Sequence, residues 1–188
     1  MTQTWGVIKV EQGKFVLSEA GTRDLTGSAS GQLFDVGDGF IVIKTGIESG
    51  PIVLTLEISE SRPEISEDDL WEVISEAPLE FKEPISLSAP GNGDAEGFGD
   101  LKNLEPGTFT VRVHALGRAL RAGQNVSEPS ERYLLQIWPS RDDDSSNGDV
   151  KNVEDTKTDR GDGGADPFGK LAEDATIDLY GPTISKGY

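Results

Sequence analysis

Leu104-Glu-Pro-Gly-Thr-Phe-Thr-Val-Arg-Val-His114 is the stretch that settles the fold of this chain. Pro106-Gly107 is a turn signal, since proline presets φ at one turn position and glycine accepts the positive φ of the next. Phe109, Val111 and Val113 then alternate with Thr108, Thr110, Arg112 and His114, the period of a strand buried on one face. The alternation predicts a dry interior beneath Phe109, Val111 and Val113, with Arg112 and His114 turned to solvent.

The same pattern continues in both directions. Upstream, residues 5–10 and 14–17 read as two strands joined by a hairpin at Glu11-Gln-Gly13. Residues 21–31 read as a polar loop. The run Phe40-Ile-Val-Ile-Lys-Thr45 reads as a core strand, and Ile52, Leu54, Leu56 and Ile58 form one face of the next. Residues 70–81 predict a long strand carrying Trp71, Val73 and Ala77 on one side, since Pro78 opposes a helix there. Residues 85–87 give a short strand, and residues 91–100 a glycine- and acid-rich loop. Downstream, residues 115–132 read as a long connection with one helical turn near 118–122. Tyr133-Leu-Leu-Gln-Ile-Trp138 closes the body and Pro139 ends it. About eight short strands need two facing sheets to bury their apolar sides. The expected fold of residues 1–140 is therefore an all-β antiparallel sandwich, immunoglobulin-like or jelly-roll-like.

Charge limits the partners. The 188 residues carry a formal net charge of −17, and residues 141–188 hold 12 acids against 6 bases, leaving 22 against 11 in residues 1–140. A field of that sign repels phosphate backbones and anionic membrane surfaces, so neither nucleic acid nor membrane is expected as a partner. It favours a cationic protein surface or a cation. The acidic stretches 35–38, 64–69 and 92–96 would serve such a partner if they met at one end of the sandwich. The absence of cysteine excludes disulfides and thiolate chemistry. No export signal or bilayer-length apolar run is legible, so a cytoplasmic location is expected.

After Ser140 the composition changes to Arg141-Asp-Asp-Asp-Ser-Ser-Asn-Gly148, which buries too little apolar area to offset the entropy of ordering. Residues 141–188 are expected to be an acidic, mostly disordered tail. Phe168, Leu171, Ile177, Leu179, Tyr180 and Ile184 mark a short docking segment at 168–184. Residues 143–154 match a twelve-residue calcium loop at several places: Asp143, Ser145 and Asn147 as ligands, Gly148 at the sharp turn, Val150 as the apolar eighth residue, and Glu154 last. Pro139 before the loop and Gly161-Asp-Gly-Gly164 after it leave no room for flanking helices. No metal site is therefore assigned, and calcium or small-ligand binding is the alternative function.

Catalytic signatures are missing from the sequence. His114 is the only histidine, and the text carries no nucleophile elbow, Walker loop or dinucleotide fingerprint. No catalytic or cofactor-binding residue is assigned, and the chain is expected not to be an enzyme. Trp71 and Trp138 are expected in the core and Trp5 at the surface.

Gly50-Pro51 leading a strand, Trp71 after an acidic loop, Pro-Gly-Thr-Phe-Thr-Val-Arg-Val at 106–113 and Tyr-Leu-Leu-Gln-Ile-Trp-Pro at 133–139 together resemble a group of bacterial β-sandwich proteins of unknown function. The strand order is more distantly similar to competence protein J, a small bacterial inhibitor of a nuclease. That resemblance implies a protein that binds and restrains another. The sequence thus points to a non-enzymatic protein-binding module, an inhibitor or immunity-type factor that engages a basic protein surface.

Overall fold

A computed structural model describes residues 1–140 apart from 31, 32, 66–69, 92 and 96. Residues 141–188, with the calcium-like loop and the docking segment expected there, lie outside the described residues. Among the described residues there are eleven strands: β1 (Thr2–Val10), β2 (Lys14–Glu19), β3 (Ser28–Ser30), β4 (Phe34–Gly37), β5 (Phe40–Lys44), β6 (Gly50–Ile58), β7 (Val73–Phe81), β8 (Ile85–Ala89), β9 (Gly93–Asp94), β10 (Gly107–Leu116) and β11 (Arg132–Pro139). They form a five-stranded sheet in the order β1-β6-β11-β10-β7 and a six-stranded sheet in the order β3-β4-β5-β2-β8-β9. The sandwich expected from alternation is present.

Alternate side chains of both sheets meet in one apolar interior. β10 contributes Val111 and Val113, β11 Tyr133, Leu135 and Ile137, and β6 Ile52, Leu54 and Leu56; opposite them stand Phe15, Leu17, Ile41, Ile43 and Leu87. Each such side chain contributes about 1.5–3 kcal/mol by leaving water. Phe15 meets Tyr133 edge-on across the two sheets, with ring centroids 5.3 Å apart, and Phe81 stacks on Phe109 at 4.9 Å.

Several local expectations are corrected. Glu11-Gln-Gly13 makes a turn with both Gln12 (φ 58°) and Gly13 (φ 63°) left-handed, the backbone of a two-residue hairpin turn. Yet β1 pairs with β6 while β2 pairs with β5 and β8, so the turn passes the chain between sheets instead of closing a hairpin. Only the bridge Glu11–Lys14 joins its two arms. The polar loop at 21–31 contains edge strand β3, and 35–38 begins inside β4. Residues 99–103 form a 3₁₀ turn, held by Thr4 Oγ1 donating to Asp100 Oδ2 at 3.0 Å. No helix forms at 118–122. One pair, β6–β11, is parallel, and the long path through β7 and β10 supplies the crossover it needs. Pro78 lies in β7, the outer strand of its sheet, where a missing N–H is tolerated.

Candidate functional site

Chemistry concentrates on the outer face of the five-stranded sheet. Pairing brings Gln3, Glu57, Gln136, Arg112 and Glu76 into one rung across that face, and Trp5, Thr55, Leu134, His114 and Ile74 into the next. Around Arg112 and His114 this face is covered, while Pro78 and Glu80 on β7 and Thr108 on β10 stay exposed. Arg112 and His114, expected to point into water, are each only 1% exposed. They point away from the interior as their parity requires, but residues 59–65 and Trp71 pass over them.

Hydrogen bonding explains how charge is tolerated there. Arg112 Nε donates to Glu76 Oε1 at 2.6 Å, and its Nη1 donates to Pro63 O at 2.9 Å and to Gln136 Oε1 at 3.0 Å. Its guanidinium also lies over the Trp138 ring, 4.8 Å from the centroid. Arg62 Nη2 reaches both oxygens of Glu76 at 3.0 Å and ties the covering segment down from above. His114 Nε2 lies 3.0 Å from Gln136 Oε1. An amide carbonyl only accepts, so Nε2 carries the proton and Gln136 receives bonds from both Arg112 and His114. Trp71 stands edge-on to the His114 ring at 5.2 Å.

This arrangement changes the reading of the tryptophans. Trp138 is buried as expected, but in the layer outside the sheet and not between the sheets. Trp71 precedes β7, is half-buried, and belongs to the covering segment. Trp5 is 61% exposed on edge strand β1, as anticipated, with Val7 beside it at 56%.

Between that exposed edge and the covered half runs a groove of about 800 Å³, lined among others by Gln3, Thr55, Glu57, Glu60, Trp71, Arg132 and Leu134. Glu57 and Arg132 stand apart within it. Glu57 is buried, accepts a bond from Ser59 Oγ at 3.2 Å, and has no ion pair among the described residues. Arg132 pairs with Val53, four positions before Glu57 on the same strand, or about 13 Å away at ~3.3 Å per residue. Burial lowers the pKa of the Arg132 guanidinium from its ordinary value, and no carboxylate among the described residues pairs with it.

A second polar cluster is structural. Glu131, wholly buried, accepts from the Gly46 amide at 3.0 Å, the Ile47 amide at 2.6 Å and the Tyr133 hydroxyl at 2.6 Å. It anchors the 45–48 turn, where a Cβ on Gly46 would lie 2.0 Å from Arg118 O. Burial and the Glu131 carboxylate raise the Tyr133 phenol well above its ordinary range, so it remains a donor.

Of the three acidic stretches, the described carboxylates Asp35 and Glu64 lie against different sheets. Asp35 lies on β4 of the six-stranded sheet, paired with Lys44 Nζ at 2.7 Å, whereas Glu64 passes over the outer face of the other sheet. Residues 66–69, 92 and 96 fall outside the described residues. No group of three or more metal-ligating side chains occurs among the described residues. No helix among them is long and apolar enough to cross a membrane. Sequence reading missed Arg132, Glu57 and Gln136, whose proximity depends on pairing register.

No protein-family model and no curated protein matches the sequence. Among solved structures the fold is similar to that of ComJ, inhibitor of the DNA degrading activity of NucA, from Bacillus subtilis, with a TM-score of 0.46 and 14% identity over 74% of this chain and 99% of that one. It is also similar to the crocagin biosynthetic gene J protein, with a TM-score of 0.44 and 10% identity over 75% of this chain and all of that one. These likenesses are of architecture and transfer no residue role.

Proposed function

We propose that this chain is a non-enzymatic protein-binding module, an inhibitor or immunity-type factor, which offers the outer face of its five-stranded sheet to a cationic surface of another protein. One observation carries the reading: Trp5 and Val7 stand 61% and 56% exposed, two apart on an edge strand, beside an open groove. An apolar pair on a free edge is a hazard in an isolated protein and an anchor in a complex. The net charge of −17 would speed encounter with a basic partner and orient it, while the aromatic anchor would supply affinity. A catalytic role finds little support, because His114 is buried and already bonded to Gln136.

The test is affinity capture from the native cell with the unmodified chain and with a Trp5→Ala, Val7→Ser double variant, each at low and high salt. A partner held by the unmodified chain, released by salt and lost by the variant is expected. Capture of nothing, or capture indifferent to the double substitution, would remove the proposal.

A further inference from the structure

Sheet edges offer unpaired backbone groups to any passing strand, and proteins that stay single blunt them. Among the described residues, three of the four edge strands are blunted. β7 carries Pro78 between Glu76 and Glu80, β3 is three residues long and β9 only two. β1, at the other edge of the sheet that β7 closes, is different. It runs for nine residues without a proline or an acid, in a chain of net charge −17. β6 pairs with one side of it, and no other backbone hydrogen bond reaches residues 2–8 among the described residues. Trp5 and Val7 stand exposed on its outer face.

This strand is also its own complement. Gly6 is its middle residue, so two copies laid antiparallel about a two-fold axis through Gly6 overlap along the whole of Thr2–Val10. That register sets Trp5 beside the second copy's Val7, and does so twice, an aromatic against a β-branched side chain. Gln3 then faces Lys9, so no like charges are opposed. A shift of two residues, the smallest that keeps each face on its own side, shortens the overlap and separates Trp5 from Val7. An edge built for a basic strand would carry acids, and β1 has none. We infer that β1 pairs with β1 of a second copy, joining two five-stranded sheets into one continuous sheet. Trp5 and Val7 pack sideways and keep their outer surfaces, so the dimer presents both grooves on one common face. The inference does not depend on the protein-binding reading above.

Sedimentation equilibrium of the full chain tests this, up to about 100 µM and at roughly 0.05 M and 0.5 M salt. A monomer–dimer equilibrium is expected that tightens as salt rises, because screening weakens the repulsion between two chains of charge −17. A cationic partner would respond to salt in the opposite sense. Val7→Glu, at a site 56% exposed, should weaken the dimer about tenfold or more by setting an acid against each Trp5. The chain has no cysteine, so Gln3→Cys and Lys9→Cys variants report the register. Their oxidised mixture should form a disulfide-linked dimer. Neither variant alone should do so, since like positions lie about 20 Å apart along the strands at ~3.3 Å per residue. A monomer under every condition would overturn the inference and leave β1 to a strand of another protein. Equal cross-linking in the mixture and in the single variants, or a Val7→Glu chain that associates unchanged, would overturn it as well. Should Val7→Glu not fold, the cross-linking comparison still decides. Partner capture lost with the dimer intact would sink the protein-binding proposal alone, and the reverse would sink this one alone.

Discussion

The two faces of β10 were built from one alternating sequence, yet they obey different rules. Its inner residues Val111 and Val113 enter an apolar interior where another apolar side chain of similar volume would serve. Its outer residues Arg112 and His114 are equally buried, but in a polar layer where every donor needs a particular acceptor. Burial by itself therefore does not separate core from site in this protein. What separates them is whether a neighbour is interchangeable.

The inner face should show the largest response to truncation. Leu135→Ala removes a fully buried side chain from the centre of the sandwich and should destabilise by about 2–5 kcal/mol, read as a lowered midpoint in urea. A change under about 1 kcal/mol would mean that the inner layer is loosely packed and the contrast is false.

The outer face should respond less to size and more to chemistry. Arg112→Ala strips Glu76 and Gln136 of a donor and uncovers the Trp138 ring. Arg62 still reaches Glu76, so the expected cost is about 2 kcal/mol, below the ~3–5 typical of a fully orphaned buried charge. Arg112→Met combined with Glu76→Gln should recover much of that loss, as apolar replacements of buried ion pairs commonly do. If single and double variants unfold at the same urea concentration, the network does not hold the covering segment.

How far the sequence reveals these layers follows from period and register. Period-2 alternation identified the inner face of β6 and β10 residue by residue, because a dry interior imposes only hydrophobicity. The outer layer was signalled more faintly. Tyr133-Leu-Leu-Gln-Ile-Trp138 places large apolar groups on both parities, which is the mark of a strand covered on both sides. A half-solvated strand would not put Trp138 beside Gln136. The rung that joins Glu57 to Gln136 and Arg112 could not be read, since it needs a parallel pairing between strands more than seventy residues apart. Arg132 was hidden for the same reason: only the finished sheet places it in the groove, where no carboxylate among the described residues pairs with it.

A pH series tests the boundary between the layers at Tyr133, whose ring is in the interior while its hydroxyl serves Glu131. Its phenol is raised above the ordinary 10.0 by burial and by the Glu131 carboxylate. The folded state therefore holds that proton more tightly than the unfolded chain does. The resulting stability is fully present below pH ~10 and is lost as pH rises beyond it. Tyr133→Phe should cost about 1 kcal/mol at pH 7, from the lost bond to Glu131, and should flatten the alkaline decline. Urea midpoints at pH 8 and pH 11 that fall in parallel for the two proteins would show that Tyr133 is not the group responsible.

The smallest stability effect belongs to Trp5, and its smallness is informative. Trp5 lies on the same rung as the buried His114 but at the open edge, 61% exposed. Trp5→Ala should change the urea midpoint by no more than the equivalent of ~0.5 kcal/mol, because little area leaves water there on folding. An indole that stabilises the fold so little, yet presents a large apolar surface, has its value in what it meets. If Trp5→Ala instead destabilised the chain by several kcal/mol, Trp5 would be a structural residue of the sheet. The outer face would then lose its anchor, and the distinction between its covered and open halves would disappear.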